Sequence, residues 1–221
     1  KRFYLIKMKV SSFQKLNLSS SNIDAYLTKI NIFENKKFIF PHEETSEDSQ
    51  ITKDIIKNSV IVLGVTFLSV DTEIIIEDNI FILDGHHRFK FIVENKIDEI
   101  FEVVLIDLHS VTIESHNCEL NIDIDSFIKK IKSDYSFNDK NRSGHFIKIN
   151  QKEYWSEDFS NIYELYKYKK ELMSNRIISP IANSEESKNI IVNFSPISSK
   201  DLSNSRVFPY KSTWITPRFD S

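Results

Sequence analysis

Cysteine, glycine and long apolar runs are scarce in this 221-residue chain, which has one cysteine and three glycines. The single cysteine, Cys118, excludes an internal disulfide framework and is typical of a reducing compartment. No apolar run approaches the roughly 18 residues that a membrane-spanning helix needs, and Lys1 to Val10 lack the apolar centre of a signal peptide. We therefore expect a cytoplasmic protein with no membrane partner.

A strong basic excess is also absent. The formal net charge is −3 and the isoelectric point is about 6.1, whereas proteins that coat nucleic acid usually carry a large positive charge. Nucleic acid is therefore not an expected partner. Apolar residues make up 40% of the chain and include 17 phenylalanines. That content is ample for a core, in one domain with additions or in two small lobes.

Periodicity along the chain predicts both strands and helices. Apolar and β-branched runs predict strands at 3–10, 37–40, 60–70, 101–108, 111–113, 145–149 and 190–194. Helical spacing predicts helices at 22–30, 86–96, 123–133 and 162–173. The runs Glu73–Ile76 and Ile80–Leu83 are expected to pair as a hairpin around the polar residues between them.

The turn after the last of those runs concentrates polar groups, with the sequence Asp84-Gly85-His86-His87-Arg88. Gly85 allows a sharp turn and the close approach of a ligand. The helix N-terminus that follows offers backbone N–H groups and a positive dipole end, which suit phosphate. Arg88 adds a bidentate donor pair, and the two histidines are donors whose charge is adjustable near neutral pH. A carboxylate beside a phosphate is unfavourable unless it holds a metal ion or takes a proton. The presence of Asp84 therefore suggests a reactive site rather than a simple anion-binding site.

Each feature of this turn also has an ordinary structural explanation. An Asp-Gly pair before a helix is often only a turn with an N-cap, and adjacent histidines can lie on a solvated first turn. The whole cluster on one strand-to-helix turn favours a ligand site. The role of His42 and Glu43 is left open: they are either solvated loop residues or a functional pair, because loops contain both kinds of residue. Lys211 alone is more often a surface lysine.

Two further stretches, Pro41–Thr45 and Lys211–Thr213, carry polar groups that would be costly in a core. If they converge with the central turn, the site has a base in Glu43, an anion-binding turn, a metal-holding acid and a cation in Lys211. Phosphoryl transfer needs those parts. The chain has neither a Walker-type phosphate loop nor the glycine loop of protein kinases, so neither of those nucleotide folds is expected.

The central turn resembles the phosphate-binding turn of the ParB/sulfiredoxin superfamily, and its Asp-Gly-His-His-Arg form looks like that of free-serine kinases and a large related family of unknown function. That related family also has a His-Glu-x-Thr stretch upstream and a Lys-Ser-Thr sequence before an aromatic residue near the C-terminus. The matching stretches here are His42-Glu43-Glu44-Thr45 and Lys211-Ser212-Thr213-Trp214. A Thr-His-Arg sequence of the family is matched only partly, by Ser115-His116-Asn117.

The resemblance implies an α+β fold: a ParB/sulfiredoxin-like small mixed sheet with flanking helices, plus a C-terminal α/β extension. Residues 1–110 would form the nucleotide-binding core, and residues 111–221 an extension that closes the site, unless the two form one continuous domain. ATP or ADP would be the donor with Mg²⁺, and a free hydroxy amino acid such as L-serine the acceptor. A homodimer is left open.

The resemblance also assigns roles to individual residues. Glu43 would be the base for the acceptor hydroxyl, with Asp84 and His87 as the other catalytic residues and Asp84 as the metal ligand. The phosphate-binding residues would be Gly85, His86, His87, Arg88 and Lys211. The acceptor-binding residues would be His42, Thr45, His116, Ser212 and Thr213.

Four other functions are alternatives to a small-molecule kinase. A ParB-like nucleotide switch acts on DNA through a helix-turn-helix domain, which is not recognisable here. Sulfiredoxin chemistry needs a cysteine in the phosphate turn, where His86 and His87 stand. A zinc hydrolase is disfavoured because adjacent histidines point in different directions and no cysteine or His-x₃-His partner accompanies them. A degenerate regulatory subunit stays open, because the chain is shorter than typical members of the family.

Overall fold

The computed structural model describes residues 8–16, 23–45, 52, 55–56, 59–70, 72–76, 79–181, 190–202, 207–209 and 213–217. The chain divides into two compact units. The first comprises Lys1–Thr112, Leu202–Tyr210 and Ile215–Ser221, and the second comprises Ile113–Asp201 and Lys211–Trp214.

Strands dominate the described residues. They are β1 (Met8–Val10), β2 (Phe13–Leu16), β3 (Ala25–Asn31), β4 (Ile39–Pro41), β5 (Ile61–Val65), β6 (Phe67–Val70), β7 (Glu73–Ile76), β8 (Ile80–Asp84), β9 (Ile100–Asp107), β10 (Val111–Ser115), β11 (Cys118–Leu120), β12 (His145–Ile149), β13 (Lys152–Ser156), β14 (Ile178–Pro180), β15 (Ile191–Phe194) and β16 (Thr213–Pro217). The helices are α1 (Ile32–Asn35), α2 (His86–Glu94), α3 (Ile124–Asp134), α4 (Ile162–Ser174) and α5 (Ser199–Leu202), with short 3₁₀ turns at Lys36–Phe38 and Leu108–Ser110. No helix in the described part of the chain is long and apolar enough to cross a membrane.

A six-stranded mixed sheet, in the order β2-β3-β9-β5-β8-β4, forms the centre of the first unit. Strands β5 and β9 run parallel, as do β4 and β8, and the other neighbours are antiparallel. Leu63, Ile82 and Leu105 of the central strands are fully buried, as is Ile92 of α2. The helix therefore packs its apolar face on the sheet, and its first turn lies where β8 ends.

The second unit contains a five-stranded sheet in the order β13-β12-β15-β11-β14, with antiparallel pairing throughout. Helix α3 buries Phe127 and Ile131, and the Asp123 side chain caps its first turn by accepting a hydrogen bond from the Ser126 N–H. Helix α4 buries Leu165 and other residues of one face. The amphipathic patterns at 123–133 and 162–173 therefore predicted both helices correctly.

The helix predicted at 22–30 is wrong, because this segment contains strand β3. Residues Ala25–Asn31 pair along their whole length with β9, and Phe13–Leu16 pair on the other side. Tyr26, Thr28 and Ile30 are buried on alternate positions. Apolar residues here satisfy both helical and strand spacing over a short window, and the long-range pairing with β9 decides between the two.

The hairpin predicted between β7 and β8 is also wrong. Strand β7 pairs with β1 and β6 in a separate three-stranded antiparallel sheet, whereas β8 pairs with β4 and β5. The two strands were correctly located, but adjacency in sequence did not determine their partners. The run predicted as one strand at 60–70 is divided between the two sheets, as β5 and β6.

Candidate active site

Parallel pairing of β4 and β8 brings two of the three polar motifs together. Pro41 lies opposite Ile82 in this register, so the chain emerges from both strands at the same edge of the sheet. His42 follows β4, and its Nδ1 lies 2.5 Å from the Ile82 carbonyl oxygen. His86 Nε2 lies 3.2 Å from His42 Nδ1, and the two ring centroids are 4.8 Å apart. Two segments separated by about forty residues of sequence thus form one site.

Burial keeps these two histidines neutral near pH 7. Desolvation lowers the pKa of His42 to about 4, although its hydrogen bond with the Ile82 carbonyl acts in the opposite direction. Burial also lowers the pKa of His86 to about 3, with smaller contributions from His42 and His87. The pKa of His87 is lowered as well, by desolvation and by the charge of Lys90. His42 and His86 are therefore uncharged near pH 7, and His86 is not the titrating donor that its ordinary pKa suggested.

Acid should destabilise the fold through His42. The unfolded chain takes up a proton at this residue below pH 6.5, whereas the folded protein does so only near pH 4. This contribution to stability is therefore complete above pH 6.5 and is lost as the pH falls toward 4. From pH 7 to pH 5 the loss amounts to about 2 kcal/mol.

Urea unfolding of the wild type and of His42→Asn at pH 7 and pH 5 tests this expectation. Asparagine keeps an N–H donor near the Ile82 carbonyl but takes up no proton. The drop in unfolding free energy between the two pH values should be about 2 kcal/mol smaller in the variant. An identical drop in both proteins would contradict a neutral, buried His42.

Gly85 forms the turn between β8 and α2 in a left-handed conformation, with φ +94° and ψ 25°. Its carbonyl accepts the first helical hydrogen bond, from the Phe89 N–H at 2.9 Å. A Cβ at this position would lie 3.0 Å from Arg88 Nε and 3.1 Å from Ile61 Cγ1. Glycine also has no side chain to occupy the first turn of α2. The N-terminus of this helix therefore has the backbone geometry that binds phosphate in other proteins.

Arg88 holds this turn in place through both of its terminal nitrogens. Nη1 donates to the Val60 carbonyl at 2.6 Å, and Nη2 donates to Asp84 Oδ2 at 2.7 Å. The Arg88 side chain is 15% exposed and that of Asp84 is 68% exposed. The strand β5 bulges between Val62 and Leu63, opposite Asp84. Arg88 thus links the bulged strand to the turn, while the Asp84 carboxylate faces solvent.

The donor groups near the turn are compatible with Mg²⁺ bound together with a nucleotide. No group of three or more histidine, cysteine, aspartate or glutamate residues within the described ranges could hold a metal ion by itself. Mg²⁺ in nucleotide sites needs only one or two carboxylates, because phosphate oxygens and water complete its octahedral shell. The exposed carboxylate of Asp84 can provide one such ligand.

A third segment, Val207–Pro209, lies beside His42 and Glu43. Phe208 donates its N–H to the His42 carbonyl at 2.7 Å, and its carbonyl accepts the Glu44 N–H at 2.8 Å. Its side chain is 1% exposed. These bonds fix the backbone on both sides of Glu43. Sequence reasoning missed Phe208, although an apolar residue just before a polar motif is a signal that could have found it.

A cavity of about 320 Å³ opens between this backbone and α2. It is lined by Pro41, Glu43, Glu44, Thr45, His86, Phe89, Lys90, Val93, Glu94 and Val207. The helix residues recur at positions one turn apart, so they belong to a single face of α2. His86, the first helical residue after the Gly85 turn, is part of the wall. The cavity therefore begins at the helix N-terminus and extends along the helix.

The other residues assigned by motif are His116, Lys211, Ser212 and Thr213. Lys211 and Ser212 lie outside the described residues. Thr213 is buried at the start of β16. His116 lies in the second unit, between β10 and β11, where its carbonyl accepts a hydrogen bond from the buried Lys169 Nζ at 3.0 Å. The roles of these four residues stay predictions.

No protein-family profile and no curated protein matches the chain. Solved structures do. A C-terminally truncated SbnI from Staphylococcus aureus is 11% identical with a TM-score of 0.56, over 88% of this chain and 84% of that one. A free serine kinase variant in complex with AMP is 13% identical, and one in complex with ADP is 14% identical. Both have a TM-score of 0.50 and match over 87% of this chain and 88% of theirs.

Identities this low show a shared fold alone. In this chain the fold comprises the six-stranded mixed sheet, the helix that begins at His86 and a second unit of strands and helices. The predicted fold class is confirmed: the chain has the α+β, ParB/sulfiredoxin-like fold that it shares with SbnI and free serine kinase.

Proposed function

We propose that this protein is a small-molecule kinase that transfers a phosphoryl group from ATP or ADP to the hydroxyl of a free hydroxy amino acid, with L-serine as the first candidate. One observation carries the proposal. Glu43 and His86 share the wall of a cavity that begins at the N-terminus of α2. A phosphate bound at that N-terminus and an acceptor in the cavity would be neighbours. The similar fold of free serine kinases in complex with AMP and ADP supports a nucleotide as the donor.

The donor phosphates would bind at the first turn of α2. Backbone N–H groups of the turn and the positive end of the helix dipole stabilise negative charge there. His86 and His87 add neutral donors, and Arg88 adds a positive charge fixed by its bonds to Val60 and Asp84. Asp84 would hold Mg²⁺, which neutralises charge on the phosphate oxygens when it is bound. Lys211 is assigned to the phosphates by its motif.

The acceptor hydroxyl would bind beside Glu43, whose carboxylate takes its proton as the new oxygen–phosphorus bond forms. Holding both reactants in one geometry is a large part of phosphoryl-transfer catalysis. The hydrogen bonds of Phe208 to both neighbours of Glu43 would restrict the position of the base. Thr45 lines the same cavity and would position the acceptor, and His42 would orient His86. His116, Ser212 and Thr213 are assigned to the acceptor by motif.

A phosphoryl-transfer assay tests the proposal. The full chain is incubated with Mg²⁺ and either ATP or ADP, with a panel of free hydroxy amino acids, and the products are followed by phosphorus NMR. A new phosphomonoester that requires the protein and the acceptor is the expected result. Nucleotide binding without any phosphomonoester would reject the kinase and favour a nucleotide switch or a regulatory subunit.

A further inference from the structure

A backbone carbonyl and the two histidines of the site lie in one row of hydrogen-bonding groups. His42 Nδ1 lies 2.5 Å from the Ile82 carbonyl oxygen, and His86 Nε2 lies 3.2 Å from the same nitrogen. A carbonyl oxygen only accepts hydrogen bonds, so the hydrogen of the first contact belongs to His42 Nδ1. The parallel pairing of Pro41 with Ile82 fixes this carbonyl beside the end of β4, where His42 follows. The carbonyl therefore sets the tautomer of the His42 ring.

The hydrogen on His42 Nδ1 determines the tautomer of His86 in turn. A ring nitrogen that carries a hydrogen cannot accept another, because its electron pair belongs to the aromatic ring. A hydrogen on His86 Nε2 would therefore point at the N–H of His42, and the two dipoles would repel each other. Without that hydrogen, the lone pair of Nε2 faces the N–H and shares its hydrogen with the carbonyl. A neutral His86 then carries its hydrogen on Nδ1.

The Nδ1–H of His86 is the donor that this tautomer offers to a ligand. His86 is the first residue of α2, and its side chain also lines the cavity that contains Glu43. The ring is therefore next to the helix N-terminus that would bind the phosphates. A donor that is already fixed in the free protein does not have to reorganise when a negative charge arrives, and such preorganised donors are effective in phosphoryl transfer.

We propose that His42 is a positioning residue whose Nδ1–H holds His86 in the Nδ1–H tautomer, and that the His86 Nδ1–H donates to a phosphate oxygen of the bound nucleotide. This inference rests on the proposed function, because it takes a nucleotide at the first turn of α2 as the ligand. In this role His42 acts through His86, and the order of the three groups follows from the strand pairing that brings Ile82 beside them.

NMR of the isotope-labelled full chain at pH 7 measures the tautomers directly. In long-range proton–nitrogen correlation spectra, ring nitrogens with and without a hydrogen resonate far apart. The chain has six histidines, and spectra of His42→Asn and His86→Gln assign the two rings of interest. Exposed His109 is the reference ring. We expect both His42 and His86 as the Nδ1–H tautomer. A His86 ring that carries its hydrogen on Nε2 would overturn the assignment.

Titration of the same labelled protein with ADP and Mg²⁺ tests the donor role. A hydrogen bond to a phosphate oxygen should move the His86 Nδ1 resonance and leave this nitrogen protonated, whereas the ring resonances of His109 should stay where they are. Adenosine, which has the base and the sugar without phosphates, is the matched control and should leave the His86 Nδ1 resonance unchanged. A resonance that does not move with ADP, or that moves equally with adenosine, would overturn the donor role.

Two substitutions of His42 separate positioning from a merely structural role. His42→Phe keeps a ring but has no N–H, so the hydrogen of His86 can redistribute between its two nitrogens. This variant should bind ADP roughly tenfold more weakly, because a hydrogen bond to a charged group is lost in part of the molecules. His42→Asn supplies one amide hydrogen to the Ile82 carbonyl and a second to His86 Nε2, and should restore both the tautomer and the affinity to within a few-fold.

An equal loss of ADP affinity in both His42 variants would show that His42 is only structural, and wild-type affinity in both would exclude any role in nucleotide binding. Either result would overturn the assignment. The variants are compared by calorimetric titration after circular dichroism has shown that they are folded. The wild-type spectra decide the tautomer and the donor role even if His42→Phe does not fold.

The two proposals can fail separately. If His86 carries its hydrogen on Nε2 while L-serine is phosphorylated, the kinase proposal holds and the tautomer assignment is rejected. If His86 shows the expected tautomer and the expected response to ADP while no hydroxy amino acid is phosphorylated, the tautomer assignment holds and the kinase proposal is rejected.

Discussion

Replacing Glu43 with glutamine should lower kcat for phosphoryl transfer by roughly two to four orders of magnitude, which is the usual contribution of a general base. Glutamine has nearly the same shape but cannot take the hydroxyl proton. Nucleotide affinity should change little, because Glu43 lines the cavity and is not part of the Gly85 turn. Single-turnover phosphoryl transfer and a separate nucleotide titration measure the two quantities.

Glu44→Gln is the matched control for this variant. Glu44 is the next residue and lines the same cavity, so the two substitutions remove the same charge from one wall. A base acts through one carboxylate, whereas an electrostatic effect on acceptor binding is shared by both. We expect Glu44→Gln to change KM for the acceptor and to leave kcat within a few-fold of the wild type. A kcat of Glu43→Gln equal to that of Glu44→Gln would exclude Glu43 as the base.

The central turn was predictable because its information is local. An apolar run that ends in Asp84-Gly85 and continues with helical spacing specifies a strand, a tight turn and a helix within a short segment. The structure places β8 at Ile80–Asp84 and starts α2 at His86. The left-handed backbone at Gly85 follows from the same local pattern, because a sharp turn favours the residue that has no Cβ.

The contacts that assemble the site were not predictable in the same way. The parallel pairing of β4 with β8 and the bonds of Phe208 to His42 and Glu44 join segments far apart in sequence. No local pattern specifies these partners, because they depend on how the whole sheet is ordered. The sequence does not show whether the three motifs converge, and the structure shows convergence for the first two.

The electrostatics of the site also depend on tertiary burial. A histidine titrates near neutral pH in water, so the sequence suggested adjustable donors at His86 and His87. Packing of the His86 ring against His42, away from solvent, removes that property. Arg88 is a similar case. Its side chain is predicted to bind phosphate, and in the structure two of its nitrogens donate to Val60 and Asp84. Arg88 therefore shapes the turn as well as adding charge to it.

Gly85→Ala should destabilise the fold and weaken nucleotide binding at the same time. An alanine at φ +94° is strained by about 1–3 kcal/mol. Its Cβ would also lie within 3.0 Å of Arg88 Nε and 3.1 Å of Ile61 Cγ1, closer than an ordinary contact. Relief of that contact moves the guanidinium away from Asp84 and the Val60 carbonyl. The variant should therefore lose about 1–3 kcal/mol in urea unfolding and bind ATP or ADP at least tenfold more weakly.

Ile74→Val separates the two effects. Ile74 is fully buried in β7, in a different sheet from the turn, and the loss of one methyl group should cost about 0.5–1.5 kcal/mol. It therefore produces a comparable loss of stability without touching the phosphate-binding backbone. Titrations are made at a temperature where both variants are folded by circular dichroism. If Ile74→Val binds nucleotide as the wild type does and Gly85→Ala does not, the turn itself binds the phosphates. If both bind equally well, the phosphates do not lie at the N-terminus of α2. A nucleotide bound there would lose affinity, because the added Cβ and the displaced arginine would obstruct its approach to the backbone.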